Sequence, residues 1–195
     1  MHTLNVAQLV ALLESERDKV MEEQYNNNNY ITTKDGEDAI GLCEIDNVAK
    51  TINGGDGLVI NIYGEECVDW IFNIGSDCEV YAEDDVTINA GDNCLIDVCQ
   101  GCIISGRDFC EVSTFDSCTI VLGDNCNVEV CSDCTITVGD NCVLSMMNHE
   151  DFDTRNITVG INCTLIVEDS GDAGFMLPSN TTFKITCDAG KCRIV

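Results

Sequence analysis

The chain has 195 residues, and its 45% hydrophobic content is enough for one packed domain or one elongated repeat array. Thirty-five acidic residues against nine basic ones give a net charge of −26. That charge disfavours direct binding of nucleic-acid phosphate or of an anionic membrane surface. We therefore expect protein partners or self-association, with no nucleic acid binding and no membrane contact.

Export signals and membrane spans are not evident in the sequence. The N-terminus has no basic segment followed by an apolar run, and no stretch approaches the roughly 20 apolar residues of a membrane span. These features predict cytoplasmic synthesis without a signal peptide. The 15 cysteines are then expected to be reduced and buried, not paired in a secreted disulfide scaffold.

Residues 1–25 are predicted to form an amphipathic helix that caps the rest of the chain or attaches it elsewhere. Asn5 and Gln8 form a capping-box pattern, and apolar residues from Val6 to Met21 fall on one helical face. Residues 26–42, which begin with the run Asn26 to Asn29, are predicted to be a polar linker.

A 16-residue repeat begins at Trp70 and brings the same residue types into columns. One column is Cys78, Cys94, Cys110, Cys126 and Cys142; a second is Cys102, Cys118 and Cys134, continued backward by Val86 and Trp70. The repeat therefore halves into units of about eight residues, each with alternating residues followed by a turn.

The unit that starts at Cys134 shows how such a half-repeat would fold. Cys134, Ile136 and Val138 are predicted to point inward, while Thr135 and Thr137 point outward. The Gly-Asp-Asn string that follows suits a corner, because its residues tolerate positive φ and make local side-chain hydrogen bonds.

The fold class predicted from this pattern is all-β, a parallel β-solenoid with two short strands per turn of about 16 residues, over residues 43–195. Regular repeats are expected over 70–147, with loop insertions at 148–155 and 169–179. Residues 43–69 look strand-like but off register. If every segment follows the same path, the rod has roughly nine turns and is about 45 Å long.

The strings Val138-Gly-Asp-Asn-Cys-Val-Leu and Ala90-Gly-Asp-Asn-Cys-Leu-Ile resemble the hexapeptide repeats of left-handed β-helix proteins. They are also similar to the repeats of bactofilin-type solenoids, and the resemblance covers residues 70–167. It implies a β-solenoid. For hexapeptide acyltransferases it would also imply a trimer and a catalytic histidine on a loop, but the period of 16 is shorter than their three-strand turn.

The spacing of the repeat argues against a metal site formed by the cysteine motifs. Cys99-Gln-Gly-Cys102 and Cys131-Ser-Asp-Cys134 have zinc-ligand spacing, but they would lie two turns, or about 10 Å, apart. Cys99 and Cys131, at corners, are expected to be the exposed and reactive thiols. We predict no metal and no cofactor.

Calcium and catalysis are disfavoured on similar grounds. The corner residues Asp92, Asp108, Asp124 and Asp140 lack the second aspartate column and the glycines of a calcium-binding roll, so a solvated ladder is expected. His149 lies in an acidic loop that would repel anionic acyl donors. The chain is therefore predicted not to be an enzyme and to have no catalytic residues.

Two unlike outer faces are predicted for the rod. One is acidic and mixed, with residues such as Glu79, Asp97, Glu111 and Glu129. The other is flat, uncharged and rich in threonine, and it is the candidate interaction face: Thr87, Asn89, Ile103, Ser105, Thr119, Val121, Thr135, Thr137, Asn156 and Thr158.

The function expected from these features is that of a non-catalytic structural protein. A rigid acidic rod would make protein contacts in a larger assembly, such as a viral or phage particle. The alternative is an acidic DNA mimic that inhibits a basic DNA-binding protein, because the charge density of the rod approaches that of duplex DNA. Ice binding through the threonine-rich face and a hexapeptide-type acyltransferase are weaker alternatives.

Overall fold

A computed structural model describes residues 30–37, 39, 42–62, 68–131, 133–147, 157–169, 174–175, 182–187 and 193–194, with side chains described as far as residue 166. The predicted N-terminal helix, the predicted insertion at 148–155 and the candidate residue Asn156 lie outside these residues. Within them, no helix is long and apolar enough to cross a membrane.

The described strands form two long sheets and a small third one. The first sheet contains β1 (Tyr30–Thr33), β4 (Leu58–Ile62), β6 (Glu79–Ala82), β8 (Leu95–Val98), β10 (Glu111–Thr114), β12 (Asn127–Val130), β14 (Val143–Met147), β16 (Thr164–Asp169) and β18 (Thr182–Cys187). The second contains β2 (Glu44–Asp46), β3 (Thr51–Asn53), β5 (Ile71–Asn73), β7 (Thr87–Asn89), β9 (Ile103–Ser105), β11 (Thr119–Val121), β13 (Thr135–Thr137) and β15 (Ile157–Thr158). The third pairs β17 (Gly174–Phe175) with β19 (Arg193–Ile194).

The strand register confirms the predicted parallel solenoid of about 16 residues per turn. From β3 and β4 onward, successive strands of the two long sheets pair in parallel, as Glu111 with Asn127 and Thr119 with Thr135 show. The chain therefore alternates between the two sheets and advances one strand per turn, about 4.8 Å.

The ends of the regular region are longer turns. Thr51 pairs with Ile71, so the turn containing residues 63–67 has four extra residues, which explains why residues 43–69 look off register. Val143 pairs with Thr164, which places five extra residues in the turn that contains the predicted 148–155 insertion. About six turns are present in the described residues, fewer than the nine that a uniform path from residue 43 to 195 would give.

The N-terminal end of the rod is covered by two antiparallel strands that the repeat does not predict. β1 pairs with β4, and β2 pairs with β3. The polar linker predicted over 26–42 therefore contains a strand, because Ile31 packs into the core and is only 2% exposed. These strands satisfy backbone groups that would otherwise form an open sheet edge. The predicted insertion at 169–179 also contains a strand, β17.

The core is a single thin layer between the two sheets. Ile88, Ile104, Ile120 and Ile136 stack on one side, and Val80, Ile96, Val112, Val128 and Leu144 stack on the other, all essentially inaccessible to solvent. Cys134, Ile136 and Val138 are buried, while Thr135 and Thr137 are exposed, as the alternation predicted. Buried cysteines fill the two narrow corners.

The buried cysteines have a hydrogen-bonding role as well as a packing role. The Sγ of Cys110 donates to the carbonyl of Gly91 at 3.3 Å, and Cys126 donates in the same way to Arg107, each acceptor lying 19 residues earlier. Cys118 donates to Cys99 in the second corner. A thiol is small enough for the corner and supplies a second donor to a carbonyl that already accepts one hydrogen bond, as Arg107 does from the N–H of Gly123.

The Gly-Asp-Asn-Cys string can be explained residue by residue. The Oδ1 atom of Asp124 accepts the backbone N–H of Asp140 at 2.8 Å, which ties one turn to the next. That carboxylate lies over Gly139, where a Cβ atom would collide with it. Asn141 has a φ of 57°, in the left-handed region that asparagine tolerates, and the cysteine then turns into the core.

Candidate interaction face

The outward side chains of the parallel strands of the second sheet, β3 to β15, form the face predicted from the sequence, and we call it the uncharged face. The antiparallel strand β2 bounds this face with two exposed carboxylates, Glu44 and Asp46. It has two columns: Thr51, Ile71, Thr87, Ile103, Thr119 and Thr135, and then Asn53, Asn73, Asn89, Ser105, Val121, Thr137 and Thr158. None of these 13 side chains is charged, although the chain has a net charge of −26.

Nine of the ten predicted face residues lie on the uncharged face, and Asn156 is outside the described residues. Four face residues were not predicted: Thr51, Asn53, Ile71 and Asn73. A four-residue extension between Thr51 and Ile71 takes Thr51 and Asn53 out of a strict 16-residue alignment. Ile71 and Asn73 lie 16 residues before Thr87 and Asn89, so that alignment does contain them. The Thr-x-Asn strings of β3 and β7 were the signal that could have identified the first two.

Asparagine amides stiffen one end of the uncharged face. The Nδ2 of Asn73 donates to the Oδ1 of Asn53 at 2.7 Å, and Asn89 donates in turn to Asn73 at 2.8 Å. Stacked amides of this kind fix one another's rotamers, so little side-chain entropy is left to lose on binding.

The middle of the uncharged face is its most apolar part. Ile103 is 52% exposed and Val121 is 47% exposed, and they lie in the paired strands β9 and β11. Threonines flank both of them, since Thr119 pairs with Ile103 and Thr137 with Val121. This part of the face offers methyl groups and hydroxyls to a partner, with no charge to desolvate.

The opposite face differs sharply over the same turns, and we call it the acidic face. Its outward positions include Glu79, Asp97, Glu111 and Glu129. Burial raises the pKa of the Asp97 carboxyl, and burial together with the charge of Glu79 raises the pKa of Tyr81. Lys34 forms an ion pair with Glu79 at 3.5 Å. A partner that covered this face would have to desolvate several carboxylates.

No family model, curated protein or solved structure matches the chain. A solenoid is compatible with many unrelated functions, so function has to be inferred from the two faces and the corners.

Cys99 and Cys131, which the sequence singled out as exposed and reactive, lie half-buried at the second corner. Burial raises the pKa of both thiols, and nearby carboxylates add to the effect: Asp84 for Cys99 and Asp116 for Cys131. The thiolate is the nucleophilic form of cysteine. Each thiol is therefore less reactive at neutral pH than an ordinary exposed cysteine.

One cysteine of each zinc-like motif forms a hydrogen bond that joins neighbouring turns of the solenoid. Cys102 donates to the carbonyl of Glu83 and Cys134 to that of Phe115, so each thiol is bonded within its own pair of turns. In the described part of the chain, no group of three or more His, Cys, Asp or Glu side chains is arranged to hold a metal ion. His149 lies outside it.

The corner aspartates have a structural role as well. Asp92, Asp108, Asp124 and Asp140 each accept a backbone N–H from the following turn through Oδ1, at 2.8–3.1 Å. One oxygen of each carboxylate is thus already engaged.

Proposed function

We propose that the chain is a non-catalytic structural protein, a rigid acidic rod that binds a protein partner through its uncharged face within a larger assembly. The proposed assembly is a viral or phage particle. The observation that carries the proposal is the lack of charge at the 13 described outward positions of the parallel strands of the second sheet, in a strongly acidic chain.

The energetics of binding support this choice of face. Interface cores are depleted of charged residues, because a carboxylate removed from water needs a new partner. The uncharged face avoids that cost, whereas the acidic face does not. In addition, each strand of the face from β3 to β13 is held by ladder hydrogen bonds on both sides, so this part of the face is organised before the partner arrives.

Introducing one charge on the uncharged face tests the proposal. Thr119→Glu places a carboxylate at an exposed position beside Ile103, and we expect its incorporation into the native assembly to fall at least about tenfold. Co-sedimentation of tagged variants from the native source measures this.

The matched control is Asn127→Glu, an exposed strand position on the acidic face one half-turn later. It adds the same side chain and charge, and should be incorporated like the unmodified chain. Normal incorporation of Thr119→Glu, or equal losses for both variants, would rule out docking through the uncharged face.

A DNA mimic is the second candidate. The carboxylates of Asp92, Asp108, Asp124 and Asp140 recur on successive turns and form a column of negative charge along one corner. We place the DNA mimic second because these carboxylates already stabilise the fold, since each accepts a hydrogen bond from a backbone N–H of the next turn. Salt-sensitive inhibition of a DNA-binding enzyme would favour it.

A further inference from the structure

Four large hydrophobic side chains are exposed within a single stretch of about one turn. They are Ile103, Phe109, Phe115 and Val121, and we call them the apolar belt. Ile103 and Val121 lie on the uncharged face, in the adjacent strands β9 and β11. Exposed hydrophobic residues that lie singly need no explanation, but a contiguous group is typical of an interaction site.

The two phenylalanines lie in the two corners that join the sheets, so each borders the uncharged face on one side and the acidic face on the other. Phe109 is in the corner between β9 and β10, and Phe115 is in the corner between β10 and β11. At the level of β9 and β11 the uncharged face therefore has two apolar side chains in its middle and an exposed aromatic ring in each of the corners that bound it.

Phe109 is at a position where the fold itself favours asparagine or aspartate. Its φ is 61°, and the residues of the same column with left-handed backbone are Asp77, Asn93, Asn125, Asn141 and Asn162. A bulky aromatic residue in this region of φ is an outlier, while asparagine tolerates it.

Burial does little to offset that conformation, because the ring of Phe109 is 60% exposed. It also interrupts a side-chain ladder in which Asn93 donates to Asp77 at 2.6 Å and Asn162 donates to Asn141. A strained, exposed aromatic residue of this kind suggests a role outside the folded chain itself.

Charge at the edges of the face indicates the kind of partner. Asp92, Asp108 and Asp124 line the corner of Phe109, alongside Arg107, and Asp84 and Asp133 lie at the corner of Phe115. A second copy of the chain would bring carboxylates against carboxylates at both edges. A partner with basic residues around an apolar groove would be complementary.

We propose that the apolar belt is the binding hot spot of the uncharged face, and that its partner is a protein with an apolar groove flanked by basic side chains. This inference rests on the proposed function and specifies it. Phe109 inserts into the groove, Ile103 and Val121 pack against its floor, and the corner carboxylates pair with the basic rim.

The test replaces Phe109 with the residue that its own column favours. Phe109→Asn should unfold at the same temperature as the unmodified chain or a higher one, because asparagine relieves the backbone strain. Binding is measured with two synthetic probes, an alternating leucine–lysine peptide and an alternating serine–lysine peptide. The unmodified chain should bind the first at least about tenfold more tightly, and Phe109→Asn should reduce that preference below about threefold.

Several outcomes would overturn the inference. They are an unchanged preference in Phe109→Asn, a clear loss of its stability, or a dimer of the unmodified chain that Phe109→Asn dissociates, which would make a second copy the occupant. If Thr119→Glu is excluded from the assembly while Phe109→Asn keeps the preference, only the hot spot is wrong. Normal assembly of Thr119→Glu would instead remove the proposed function.

Discussion

Gly139→Ala is expected to lower the free energy of unfolding by about 3 kcal/mol, because the corner has no space for a Cβ atom. The added carbon would collide with the carboxylate of Asp124 and lie 2.9 Å from the carbonyl oxygen of Gly123. Neither can move freely, since Asp124 accepts the N–H of Asp140 and the carbonyl of Gly123 is hydrogen-bonded to the N–H of Gly139 and to Cys142. Urea denaturation followed by circular dichroism measures the change.

Gly55→Ala is the matched control for this substitution. A Cβ atom at Gly55 has no heavy atom within 4 Å, so stability should be unchanged or slightly higher. Similar losses at the two glycines would mean that the stacking of aspartate over glycine is not what holds neighbouring corners together.

Cys126→Ala is expected to cost about 2 kcal/mol in reducing buffer. The substitution removes a fully buried sulfur from a thin core and leaves the carbonyl of Arg107 without its thiol donor. Since the sulfur is packed between the turns above and below, neighbouring side chains cannot close the gap without disturbing the strand register. The measurement is again the free energy of unfolding in urea.

Cys131→Ala provides the comparison, since this thiol lies half-buried at a corner. Its loss should change stability by no more than about 0.5 kcal/mol. If Cys126→Ala is as well tolerated as Cys131→Ala, neither the packing of the buried thiols nor their hydrogen bonds to the corner carbonyls contribute measurably to stability.

The regular part of the solenoid could be predicted from the sequence because each turn repeats the same local chemistry. An alternating strand fixes which side chains point inward, as at Cys134, Ile136 and Val138, and the Gly-Asp-Asn corner fixes where the strand ends. Period and alternation were therefore sufficient for the fold class and for nine of the face residues.

The parts that were not predicted lack that repetition. β1 is an antiparallel cap whose burial depends mainly on Ile31, and a single apolar residue in a polar stretch is a weak signal. The extension of the face to Thr51 and Asn53 depends on a turn of different length. The role proposed for Phe109 rests on its backbone conformation, although its place in a column of asparagines was visible in the sequence.

Hydroxyl-radical footprinting of the chain, free and within its native assembly, tests docking through the uncharged face most directly. We predict that oxidation of Ile103 and Val121 falls at least about fivefold in the assembly, because interface cores exclude water. Leu95 and Tyr81, on the acidic face, should be oxidised at the same rate in both states. Protection of Leu95 and Tyr81 instead, or unchanged rates at Ile103 and Val121, would contradict the account.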